Sequence, residues 1–230
     1  MIGHYDWAGG REAMLRFGPA GGPVVVLALP LFEEANRTRA FAVAMLRALA
    51  GHGIAALLPD LPGTVESETA LEDVTPTDWT EALFAASGDG RCHAAGIRGG
   101  CLIAGNIPAR SHWFLSPASG EAIVRDLVRA RQAADRETGG AFDPVDIDRD
   151  GPPIELAGNR VPRALLRALR ATEPDAAPPC RVVRLDSDPA PADRHVSGAP
   201  LWRRAEPDTD RALAALLAAD LADWVRRCEN

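Results

Sequence analysis

The chain contains no lysine, and all 25 of its basic side chains are arginine. That absence removes whole chemistries. A Schiff-base enzyme needs a lysine amine, and a phosphate-cradling loop of the Walker type ends in lysine. Abundant Ala, Arg, Gly and Pro mark a compositional bias that accounts for most of the deficit. Long apolar runs are missing too: the longest, residues 24–32, falls far short of the roughly 20 residues that span a bilayer. The opening Met1-Ile-Gly-His-Tyr-Asp-Trp7 has neither a basic nor an apolar stretch, so no secretory signal is expected. No basic stripe exists either. The arginines are scattered through a chain of net charge −7, which points away from nucleic acid. Cys92, Cys101, Cys180 and Cys228 form no C-x-x-C pair, and the five histidines form no H-x-x-x-H. Reduced thiols in a cytoplasmic protein are expected, with no metal and no cofactor.

What is present is 230 residues, 47% of them hydrophobic, enough for one compact soluble domain with a single core. Short β-branched runs alternate with helical stretches, the pattern of a largely parallel sheet with crossover helices. A hairpin is expected over 4–17, then buried strands over 24–29 and 54–58, with a helix between them. That helix buries Phe41, Met45, Leu46 and Leu49 and closes at Gly51 and Gly53. Thr75 caps the next helix, with Pro76 in its first turn and Asp78 near the positive end. Strands over 113–115 and 181–185, a helix from Ser119 and a terminal helix behind Asp208 complete the frame. Between them lie a small strand over 154–157 and a helix over 162–169, and 199–203 is a weaker strand candidate. His4, His52 and His112 read as solvated or capping residues, and His93 as strand-end structure.

One segment carries chemistry. Gly96-Ile97-Arg98-Gly99-Gly100 sits where a strand turns into a helix, the geometry of a G-x-S-x-G nucleophile elbow with its centre replaced. Arginine stays protonated at any pH a protein meets and cannot act as a nucleophile. Leu29-Pro-Leu-Phe32-Glu-Glu34-Ala-Asn36-Arg-Thr-Arg39 resembles the P-P-F-x-E-E-x-N-x-x-R segment of the exosortase A system-associated hydrolases, hydrolase 2 type. Leu57-Leu-Pro-Asp-Leu-Pro-Gly63, the Arg98 elbow and Glu155-Leu-Ala-Gly158 are similar to further segments of that family, so the resemblance spans about residues 20–225. Leu31 and Val65 depart from it.

The resemblance implies an α/β-hydrolase-like, doubly wound, mostly parallel sheet. Residues 1–230 would form one domain, with 118–178 a small lid insertion over the C-terminal ends of the strands. On that template the triad acid follows the strand over 181–185, which points to Asp186 and Asp188. The base belongs near 204–209, where Glu206 and Asp208 stand and no histidine does. A standard Ser-His-Asp triad is therefore absent, and acyl transfer has no first step. Cys101, one turn into the helix, reads as a small apolar residue or a substitute nucleophile.

Arg98 has two readings. It holds an anion beside Gly99 and the helix start, or it pairs internally with Glu33, Glu34 or Asp188. Glu34, Asn36 and Arg39 either cap the helix they precede or join the site, which Phe32, Glu34, Arg98 and Asp188 would frame. Two functions follow. One is an esterase-like hydrolase acting on an ester or glycan-type substrate, with water activated by Glu34 or Asp188 and Arg98 stabilising the oxyanion. The other is a pseudo-hydrolase that binds a small anion, or a protein partner in the exopolysaccharide and sorting system.

Overall fold

A continuous apolar stretch buried on both faces forms the middle of the sheet. In the computed structural model, which describes residues 1–230 except Asp89, Ala205 and Asn230, this is β3 (Val24–Ala28). Its side chains alternate. Val25 and Leu27 enter one core, and Val26 and Ala28 the other. Around it run β1 (Ile2–Trp7), β2 (Gly10–Phe17), β4 (Ala55–Pro59), β5 (His93–Ile97), β6 (Ser111–Leu115), β9 (Cys180–Leu185) and β10 (Arg194–Val196). The spatial order is β1-β2-β4-β3-β5-β6-β9-β10. β2 pairs antiparallel with β1 and with β4, and the remaining neighbours pair parallel.

Helices cover both faces. α1 (Glu33–Gly51) and α6 (Arg211–Glu229) bury Phe41, Met45, Leu217 and Leu221 on one side. α2 (Pro76–Ser87), α3 (Gly100–Ala104), α4 (Gly120–Thr138) and α5 (Arg163–Arg170) lie on the other. Residues 118–178 supply α4, α5 and a separate hairpin of β7 (Ile154–Leu156) and β8 (Asn159–Val161). The α2 start is built as its sequence indicates. The Thr75 hydroxyl accepts from the Asp78 N–H, and the Asp78 carboxylate accepts from the Thr75 N–H. No helix among the described residues is long and apolar enough to cross a membrane.

Several sequence expectations change. Residues Leu201–Arg203 form a single 3-10 turn behind Pro200, and the last strand is β10. Asp210, rather than Asp208, accepts the Leu213 N–H at the start of α6, while Asp208 pairs with Arg204. Asn36 caps nothing. Phe32 is the residue before α1, so Asn36 already lies within the helix. His112 is buried, with its ring nitrogens against the Ala177 and Ile107 carbonyls. β8 had no counterpart in the pattern.

Candidate ligand site at the strand–helix elbow

β5 and α3 meet at a sharp turn whose apex is Arg98, with a left-handed backbone at φ 53°. That conformation is costly for a residue with a Cβ and is held here by close packing. A Cβ on Gly100 would lie 2.3 Å from both the Ala28 and the Leu29 carbonyl oxygens, and one on Gly96 would lie 2.7 Å from the Cys101 nitrogen. The glycines let α3 close onto β3, and the turn lifts Arg98 to the C-terminal end of the sheet. The Arg98 N–H donates to the Leu115 carbonyl at 2.9 Å, which ties the apex to β6.

The side chain of Arg98 pairs with Glu34. Its Nε donates to Oε2 and its Nη2 to Oε1, each at 3.3 Å. The Trp202 ring lies against the same guanidinium, 5.1 Å from Cζ to the ring centroid. A longer contact of 3.5 Å runs from Nη1 to the Ser116 carbonyl. Burial pushes the Glu34 carboxyl above the ordinary glutamate range, against the opposing pull of Arg98. Of the three carboxylates open to Arg98 from the sequence, Glu34 takes the pair. Consecutive helical residues diverge by about 100°, so Glu33 points elsewhere, to the Asn159 amide on β8.

Asp188 serves another partner. Burial alone would raise its carboxyl, but hydrogen bonds from Arg184 at 2.6 Å and from the Ala190 N–H hold it below the ordinary range. Asp186 is exposed at the end of β9. His195 lies on β10, exposed, with Nε2 beside the Asp188 and Ala190 carbonyl oxygens. Past β10, Trp202 sits in the short turn behind Pro200. Cys101 is fully buried, and burial pushes its thiol far up, which removes it as a thiolate nucleophile.

Arg98 opens on a cavity of about 310 Å³. Leu31, Phe32, Ile123, Leu127 and Trp202 give it apolar walls, with α4 along one side. Arg37 and Arg203 line it as well, and the Arg37 Nη1 donates to the Trp202 carbonyl. Gly99 packs beneath, where a Cβ would strike Ile123 and Leu31. Arg39 lies outside, ion-paired with buried Asp60. The elbow thus brings Phe32, Glu34, Arg98 and Gly99 together, leaves Asp188 apart and adds Trp202, which sequence reasoning missed. No signal in the chain joins Trp202 to Arg98.

A serine, a histidine and a carboxylate do line up elsewhere. His93 Nδ1 meets the Ser111 Oγ at 2.8 Å, and its Nε2 meets the Glu229 Oε1 at 3.0 Å. Ser111 is fully buried at the start of β6, at the sheet end opposite the elbow. That hydroxyl is out of a substrate's reach, and the array ties α6 to the sheet. Among the described residues, no three His, Cys, Asp or Glu side chains gather as a metal site.

Among solved structures, the chain resembles Est1E from Butyrivibrio proteoclasticus with ferulic acid bound, at TM-score 0.65 and 16% identity over 98% of each chain. It also resembles alpha/beta hydrolase domain-containing protein 10 from mouse, at TM-score 0.62 and 15% identity over 99% of each chain. A third likeness is to the bottromycin epimerase BotH in complex with bottromycin A2, at TM-score 0.55 and 16% identity, over 97% of this chain and 99% of that one. No family model matches the chain, and no curated protein matches its sequence. The fold is that of the α/β-hydrolases. Identities this low speak to the fold alone, and one fold hosts many chemistries.

Proposed function

We propose that this protein is a non-hydrolytic member of the α/β-hydrolase fold that binds the carboxylate of an amphipathic acid at Arg98. The observation that carries the reading is the Arg98–Glu34 pair. A guanidinium fork at the elbow already holds a carboxylate where a hydrolase attacks its substrate. A ligand carboxylate takes the place of Glu34, and the apolar walls of the cavity receive its acyl or aryl body. Its 310 Å³ is at the small end of ordinary ligand pockets. Est1E in its complex holds ferulic acid, an aromatic carboxylic acid, which supports the class. Residues 118–178 act as the lid, with α4 as its roof. The resemblance of the Leu29–Arg39 segment supports a cytoplasmic role beside the exosortase and exopolysaccharide machinery, where a sorting-system protein is a further partner.

A second reading is hydrolysis. It draws on the raised pKa of Glu34, which suits a general base for water, with Arg98 as the oxyanion donor. One experiment separates the two. Benzoate, cinnamate and 4-coumarate are titrated into wild type and Arg98→Ala, and a panel of acyl esters is assayed in parallel. Saturable carboxylate binding that Arg98→Ala removes, with no ester turnover, is the expected result. Turnover that survives purification and disappears in Arg98→Ala overturns the non-hydrolytic reading.

A further inference from the structure

A second cavity adjoins the first. Phe32, Glu33 and Ala157 line both the 310 Å³ cavity under Arg98 and a neighbouring cleft of about 210 Å³. Asn36, Thr64, Val65, Trp79 and Asn159 wall that cleft. Trp79 is buried and Asn36 exposed, so the cleft runs from an apolar floor to a polar mouth. No arginine lines it, and its one charged side chain is Glu33.

Backbone strain gathers on this pair of cavities. Among the described residues, five non-glycines have a left-handed backbone: Phe32, Val65, Arg98, Ser116 and Ala157, with φ from 45° to 57°. Phe32 and Ala157 belong to the shared wall, Val65 lines the cleft and Arg98 the first cavity. Ser116 presents its carbonyl to the Arg98 guanidinium. Such conformations persist where the surrounding structure over-determines them, and they cluster at ligand clamps. Glu33 stands at the junction. Its carboxylate accepts from the Asn159 amide and makes no ion pair among the described residues. A carboxylate offers about four acceptor sites, so capacity remains for further donors.

We infer that the two cavities are one bipartite site, whose ligand carries a carboxylate and apolar body at one end and neutral hydroxyl groups at the other. The acid lies in the Arg98 cavity, the chain crosses at Glu33 and Asn159, and the hydroxyls occupy the cleft. Hydroxyls both donate and accept, which matches the Glu33 carboxylate and the amides of Asn36 and Asn159. A second anionic end meets Glu33 and no cation. This inference rests on the carboxylate-binding reading above.

The test compares 4-coumarate, which reaches the first cavity, with 4-coumarate 4-O-β-glucoside, which extends into the cleft. Calorimetric titration of wild type is expected to give about tenfold tighter binding of the glucoside, the worth of one or two net hydrogen bonds. Asn36→Trp fills the cleft from an exposed helical position and is expected to remove the difference between the two probes. Arg98→Ala weakens both. If coumarate binds and the glucoside binds no tighter, the second lobe is overturned and the Arg98 site stands. A difference that survives Asn36→Trp unchanged also overturns the cleft. If neither probe binds wild type, this inference falls together with the reading beneath it.

Discussion

The guanidinium of Arg98 lies 5.1 Å from the ring centroid of Trp202, so a cation and an aromatic face meet at the apex of the elbow. A hydroxyl placed there gains no imidazole partner. Arg98→Ser puts a hydroxyl at the apex, yet the ring beside it is the Trp202 indole, and Asp188 is held by Arg184. Arg98→Ser is therefore expected to hydrolyse p-nitrophenyl acetate no faster than Arg98→Ala. A pre-steady-state burst of p-nitrophenol stoichiometric with protein would show that a hidden base exists.

Removing Arg98 also strands Glu34. Both side chains are mostly buried, with 14% and 25% of their surface exposed. Arg98→Ala is expected to cost about 2–3 kcal/mol, because an uncompensated carboxylate remains. Glu34→Gln in the Arg98→Ala background should recover part of that loss. A double-mutant cycle in urea measures the coupling, and strictly additive losses would mean that the pair is not energetically linked.

Glu34 also makes ligand binding proton-linked. Its folded pKa is raised by burial, so the native state binds more protons than the unfolded chain, and stability falls as pH rises through that window. A ligand carboxylate that takes Arg98 removes the main influence keeping Glu34 ionised, and its pKa rises further. Binding therefore takes up protons. Affinity for 4-coumarate is expected to increase as pH falls through the raised Glu34 titration, while the ligand stays ionised. Calorimetry in two buffers of different ionisation enthalpy reads the uptake directly. No uptake would mean that the ligand does not displace Glu34.

The central strands were legible because their residues are buried on both faces and need no alternation: 24–29 and 54–58 became β3 and β4. α2 was legible from its capping residues alone. β10 was not, because two of its three residues are exposed and its place is fixed by long-range bonds. The Val182 N–H donates to Asp193, and the Asp193 N–H donates back to the Val182 carbonyl. Trp202 lies beyond β10 in a single turn, and no pattern in the chain ties it to Arg98. At the site, the sequence narrowed the partners of Arg98 to three acids. The choice of Glu34 needed the phase of α1, and that depends on the helix starting at Glu33.

Glycine at the elbow has a steric role that substitution can weigh. A Cβ on Gly100 meets two backbone carbonyls at 2.3 Å, and neither can swing aside as a side chain would. Gly100→Ala is expected to lower stability by about 3 kcal/mol by pushing α3 off β3. Gly51, the last residue of α1, has nothing within 4 Å of its added Cβ. Gly51→Ala is expected to stabilise by about 0.5 kcal/mol. Urea midpoints of the two variants check both signs, and a neutral Gly100→Ala would show that the elbow relaxes.

Acid sensitivity is expected to centre on Asp220. This buried carboxylate in α6 accepts from the Trp113 Nε1 at 3.0 Å, from Arg181 at 2.8 and 2.9 Å and from Arg194 at 2.8 Å, and so ties the helix to β6, β9 and β10. Burial alone would raise its pKa, but the bonds from Arg181, Trp113 and Arg194 outweigh it and hold the group well below the ordinary Asp range. A depressed folded pKa gives stability that is complete above the unfolded value near about 4 and is lost as pH falls toward the folded one. Asp220→Asn is expected to cost about 3 kcal/mol at neutral pH, since two arginines lose their partner. The gap to wild type should narrow as pH falls below about 4, where the unfolded wild-type chain takes up a proton that the folded protein still excludes. Urea unfolding of both proteins across that range decides it, and a gap that stays constant with pH would place the acid-sensitive carboxylate elsewhere.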